Sequence, residues 1–200
     1  MDYVSVSESL LSGLVSALFI LYLSNRNEKT KHKRLVKANL IKSLHLFFSY
    51  WKMRTKQSNH IGLKMREGND LHDQVHTNVV DEGLRNKMLS KFNMEEKDLF
   101  RKTDSHYNVS EKQMEVESEI ESLIVQIYEY YGKSKFEKIE TVLRPIITRS
   151  HMNKKLYSYE TLSSSELKAA KIKLPEQLKT VNETLDRDKQ ILVTALNKIL

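Results

Sequence analysis

His72 and His76 stand four residues apart, a spacing that on a helix puts two imidazoles on one face, with Asp73 beside them and Asp81 and Glu82 about a turn further on. Two imidazoles so placed, with a carboxylate to complete the shell, are the donor set of a divalent metal site. The Glu-x-x-His pairs that build di-metal sites in helical bundles are absent, and no second helix offers an inward histidine. The pair is therefore a weak metal candidate, since histidines on the polar side of a helix are more often solvated. Glu115, Glu117, Glu119 and Glu121 read in the same way as the wet face of a helix.

Other chemistry lacks its usual supports. There is no cysteine, which excludes thiol catalysis, zinc-thiolate centres and disulfides. No Gly-rich phosphate loop and no Gly-x-Ser-x-Gly elbow occurs, so nucleotide and serine hydrolysis have no visible frame. No cofactor is implied. Asn108-Val109-Ser110 and Asn182-Glu183-Thr184 match the N-glycosylation pattern, which matters only for a domain facing a secretory lumen.

The strongest signal is one of placement. Leu10 to Leu23 is apolar apart from Ser and Gly, and extending back to Tyr3 gives a stretch interrupted by one acid, Glu8. A helix of that length rises about 31 Å, the thickness of a bilayer's hydrocarbon layer. Tyr3 and Tyr22 would fall at the two interfaces. A cleavable signal peptide would carry its positive charge before the apolar region; here the charge follows it. An amphipathic or buried helix is the competing reading, because Glu8 and the serines lower the hydropathy of a short span. Ser5, Ser9, Gly13 and Ala17 recur every four residues, a stripe of small side chains on which two helices pack closely in lipid.

Charge is distributed to match. The formal net charge is +7, yet residues 26–57 hold ten bases and one acid, whereas residues 58–200 hold 23 of each. Arg26, Lys29, Lys31, Lys33, Arg34, Lys37 and Lys42 follow the apolar segment directly, and anionic lipid attracts such a collar. By the positive-inside rule the N-terminus lies outside and the rest in the cytoplasm, at an inner membrane. Membrane placement accounts for the basic pI without nucleic acid. From Lys33 to Lys56 the collar is also amphipathic, with Val36, Leu40, Leu44, Phe47, Phe48 and Trp51 at helical spacing. It reads first as a core helix, then as a membrane-surface helix with Trp51 in the headgroup boundary, and last as a polyphosphate or nucleic-acid binder.

The elements behind these residues are helices. Two prolines, five glycines and no alternating strand pattern predict an all-α chain, with anchor 1–24, basic amphipathic helix 25–57, linker 58–69 and antiparallel bundle 70–200. Within the bundle, helices are predicted over Asp70–Phe92 and Met94–Lys102, with a polar turn from Thr103 to Val109. A capping box at Ser110 and Gln113 then opens a helix ending at Gly132. Lys135–Asn153 should divide after Arg144 at Pro145, and Ser163–Ser165 should cap a short helix from Glu166 to Lys173, with Pro175 opening the last. Heptad-like stripes run through Val116, Ile120, Leu123, Ile127 and Tyr130, and through Leu178, Val181, Leu185, Leu192, Ala195 and Ile199.

These features lead to a membrane-tethered helical module that recruits, scaffolds or regulates a protein partner. The alternatives are a membrane-acting effector that forms homo-oligomers through its small-residue stripe, and an enzyme with dispersed residues centred on His72 and His76.

Overall fold

Helix formers dominate the chain, and so few prolines and glycines leave long stretches in which one turn can propagate into the next. The computed structural model describes residues 3–77, 82–151, 156 and 159–200; side chains are described from Val15 onward, apart from Gln74, His76, Thr77 and His151. Four helices result: α1 (Tyr3–Thr77), α2 (Glu82–Tyr131), α3 (Lys133–His151) and α4 (Ser164–Ile199), with a 3₁₀ turn at Tyr159–Thr161. The protein is all-α, a helical bundle.

Cross-helix bonds fix the directions. Tyr131 donates its hydroxyl to the Lys33 carbonyl at 2.8 Å, and Gln57 donates to Ser105 Oγ at 2.9 Å, so α2 runs antiparallel to α1. Arg54 of α1 donates to the Ser150 carbonyl, which sets α3 parallel to α1. Lys171 pairs with Glu67 and Lys52 with Asp186, both at 2.6 Å, so α4 descends against α1. The arrangement is up-down-up-down. Its main core joins Phe47 and Phe48 of α1, Ile120 and Ile127 of α2, Leu143 of α3 and Leu192 of α4; a second cluster gathers Leu63, Tyr159, Leu167, Leu174 and Leu178.

Several expected boundaries are absent. The predicted linker 58–69 is uninterrupted helix inside α1. Its turn-forming residues are used in packing instead: Asn59 is fully buried, donates to the Thr55 carbonyl at 2.8 Å, and accepts from Leu156 N at 2.8 Å and Tyr159 Oη at 3.1 Å. Gly62 is there for space, because a Cβ at that position would lie 2.6 Å from the Tyr159 ring. The predicted helix over Asp70–Phe92 is the end of α1 and the start of α2, whose arms meet where the His72 and Phe92 rings sit 5.9 Å apart.

The capping box at Ser110 and Gln113 does not form, and the predicted turn before it is helix, since α2 runs unbroken through Met94–Val109. Gln113 is buried and donates instead to Glu117 at 2.8 Å and to Ser150 Oγ at 3.3 Å. Neither proline divides its helix. Pro145 lies inside α3, where Leu143 is in the core and Ile146 and Ile147 pack against it, and Pro175 lies inside α4 beside buried Leu174 and Leu178. Burial of the flanking turns outweighs the one backbone hydrogen bond that each ring removes.

Two terminal signals operate as expected. Ser163 and Glu166 form a reciprocal capping box at the start of α4, and α2 stops at Gly132, whose φ of 87° suits a residue without Cβ. The stripe from Val36 to Trp51 is core, the first of the three readings of that segment.

Candidate functional site

α1 outruns the bundle at its N-terminal end. The last contacts with other helices on that side are His32, stacked on Tyr130 with centroids 5.6 Å apart, and Lys33, whose ammonium lies 5.2 Å from the Tyr131 ring centre. Before them the helix continues back to Tyr3, a projection of about 44 Å at 1.5 Å per residue. Every side chain from Val15 to Lys31 is exposed. Along the first part of that stretch Leu18, Phe19, Ile20, Leu21 and Tyr22 are each 59–65% exposed, so apolar surface surrounds the helix rather than lining one face. A helix apolar on all sides needs an apolar environment.

Among the described residues, no helix is long and apolar enough to cross a membrane. The described side chains begin at Val15, and the apolar band ends at Leu23, before Arg26. Most of the predicted span therefore falls on side chains outside those described, as do Ser5, Ser9 and Gly13 of the small-residue stripe. Ala17 is exposed.

The basic collar follows the band. Arg26, Lys29, Lys31, Arg34 and Lys42 are exposed, and Lys33 and Lys37 are half-buried. Trp51 departs from its assignment to the membrane surface: it is 7% exposed, tilted against Phe47 and Phe48 in the core, with the Arg149 guanidinium 5.7 Å from its ring centre. Phe47, Phe48 and Trp51 share one face of α1, and α2, α3 and α4 cover that face.

The metal candidate is not assembled. His72 is exposed and lies 3.8 Å from Asp73, the His76 side chain is outside those described, and no group of three His, Asp or Glu side chains among the described residues is placed to hold an ion.

One polar constellation was not visible in the sequence. Glu117, expected on the wet face with Glu115, Glu119 and Glu121, is 7% exposed, while those three remain outside. It accepts from Gln113 at 2.8 Å and from Ser150 Oγ at 3.1 Å, beside the Arg54 guanidinium, which is 8% exposed. Burial lowers the Arg54 pKa and the charge of Glu117 opposes that shift. Next to this layer, burial and the Arg54 charge hold the His106 imidazole below its ordinary value, and its Nδ1 has no hydrogen-bond partner among the described residues. Glu117 occupies every fourth or third position with Gln113 and Ile120, a register shared with the apolar stripe; that periodicity was the available signal. With Gln113 and Ser150 fully buried, the layer fixes the alignment of α1, α2 and α3 rather than presenting a reactive group to a substrate.

The open grooves carry no catalytic set. The one beside Trp51, about 220 Å³, is lined by Thr55, Thr180, Thr184 and Leu185, and its charges are already used: Arg149 pairs with Asp188. No family model, curated protein or solved structure matches the chain.

Proposed function

We propose that the protein is a membrane-tethered helical interaction module, with the N-terminus outside, the arm of α1 seated in an inner membrane and the bundle held at its cytoplasmic surface. The observation that carries this reading is the apolar band Val15–Leu23, exposed around its whole circumference and followed along the same helix axis by a cationic collar. Water is a poor solvent for that band and lipid a good one, and the positive charge stays on the cytoplasmic side. A binding role is favoured by what surrounds the arm: a rigid bundle whose buried polar groups are spent on alignment, with apolar side chains at seven-residue spacing (Phe100, Tyr107 and Met114) exposed on the outward side of α2. Isolated surface apolar residues are ordinary, but a line of them along a helix is what a partner helix packs against.

The test is fractionation of cells expressing the tagged full-length chain. Recovery in the carbonate-washed membrane pellet, with the C-terminal tag protected from protease added outside intact cells, is the expected result. Leu18→Lys with Leu21→Lys should shift the chain towards the supernatant, since a lysine at the centre of a lipid-embedded helix costs about 3 kcal/mol. A wild-type chain that stays in the supernatant refutes the reading.

A further inference from the structure

The fold brings to the root of the arm a set of cations that the sequence scatters over 170 residues. α2 ends and α3 begins beside Lys33, so Lys133, Lys135 and Lys138 lie at the end of the bundle from which the arm emerges. α4 finishes there too: Ile199 shares a groove with Ser134, Glu137 and Lys138, which places Lys198 at the same end. With Arg26 to Lys37 this end holds ten bases against three acids, Glu28, Glu129 and Glu137, although residues 58–200 taken together are neutral.

The packing is informative about what the cations are for. Lys33 of α1 and Lys135 of α3 both lie over the Tyr131 ring, 5.2 and 5.4 Å from its centre, so two ammonium groups from different helices converge on one aromatic side chain. Neither has a carboxylate within ion-pair distance among the described residues, whereas at the opposite end Lys64 and Lys171 both pair with Glu67. Like charges brought together without a counter-charge repel unless an anion lies between or beside them. Arg26, where the collar starts, is about 10 Å along the helix from Lys33, so a bilayer surface at the collar is within about one screening length of this face.

Resting on the tether reading, we propose that this three-helix end is a headgroup-binding face, on which Lys33, Lys133, Lys135 and Lys138 hold the phosphates of anionic phospholipids and seat the bundle on the membrane. The occupant is lipid rather than nucleic acid because the face surrounds the root of the apolar arm: the groups that meet it are those beside which the arm is embedded.

The test uses the full-length chain in nanodiscs of phosphatidylcholine alone or with phosphatidylglycerol, reading acylation of individual lysines by mass spectrometry. Lys133, Lys135 and Lys138 should label several-fold more slowly in the anionic discs, with the difference removed by high salt, since each lysine near such a surface gains roughly fivefold in local binding. Lys168 and Lys173, on the part of α4 remote from the arm, serve as internal references and should label equally in both. Lys135→Glu with Lys138→Glu should abolish protection at Lys133 while the chain still enters both discs; the Lys→Arg versions should keep it. Equal labelling in the two discs overturns the proposal, as does protection by inorganic phosphate or polyphosphate in detergent that anionic lipid fails to match. A chain that enters neither disc refutes the tether itself, a separate outcome.

Discussion

Gly62 and Gly68 lie on the same helix, six residues apart, and the same substitution should have opposite effects at the two. Alanine in place of a helical glycine gains about 1 kcal/mol, because glycine loses more backbone entropy on folding. At Gly68 nothing lies within 4 Å of the added methyl, so Gly68→Ala should realise that gain. At Gly62 the methyl would meet Tyr159 Cδ2 at 2.6 Å, Cε2 at 3.1 Å and Cγ at 3.3 Å. The ring cannot swing aside freely: Tyr159 is 2% exposed, packs with Leu63 and Leu167, and its hydroxyl donates to Asn59 Oδ1 at 3.1 Å. Overpacking of that kind costs about 1–3 kcal/mol, so Gly62→Ala should be neutral to destabilising by about 2 kcal/mol, and the two variants should differ by about 1–3 kcal/mol. For a chain of this size that is roughly 2–12 °C between their midpoints, read by helical circular dichroism of the full-length protein in detergent. Replacing Tyr159 by Leu should remove much of the Gly62→Ala penalty, which ties the effect to that ring. A Gly62→Ala midpoint equal to or above that of Gly68→Ala refutes the close approach of α1 to the 3₁₀ turn.

Other perturbations follow from the same geometry. Glu117→Ala should cost about 3–5 kcal/mol in chemical denaturation because it leaves the buried Arg54 guanidinium without its counter-charge, and Arg54→Leu with Glu117→Leu should recover most of the loss. His106 titrates below its ordinary value, so the unfolded chain takes up a proton that the folded chain refuses; stability should fall as pH drops below about 6.5, and melting of His106→Gln should show a shallower slope there. Gly132→Ala should destabilise by about 1–2 kcal/mol in the same melts, because φ is 87° and a methyl has no low-energy place there, with Gly132→Asn milder.

What the sequence disclosed was the part of the fold built from apolar periodicity and local capping. Val36 to Trp51, Val116 to Ile127 and Leu178 to Leu192 stand where their spacing puts them, and Gly132 and Ser163 end and start helices by chemistry that is local. The misread regions are those where polar or small residues do the packing. Asn59 and Gly62 resemble a turn until the ring of Tyr159, about 100 residues away, occupies the space between them. Thr103 to Val109 resembles a turn because its partner on α1 is also polar, with Gln57 reaching Ser105, so there is little apolar stripe to read. Pro145 and Pro175 look like breaks, yet core burial on both sides carries the helix through. The lysines around the root of the arm were illegible for a different reason: the order of helices decides which distant segments become neighbours.

The unbroken run of α1 from Tyr3 to Thr77 makes it a strut of about 112 Å. With the arm seated in lipid, the hairpin between α1 and α2 stands roughly 66 Å beyond Lys33 and inherits any tilt of the embedded segment. A molecule captured near that tip would be held at a set altitude above the bilayer, so the protein sets distance from the surface as well as attachment to it.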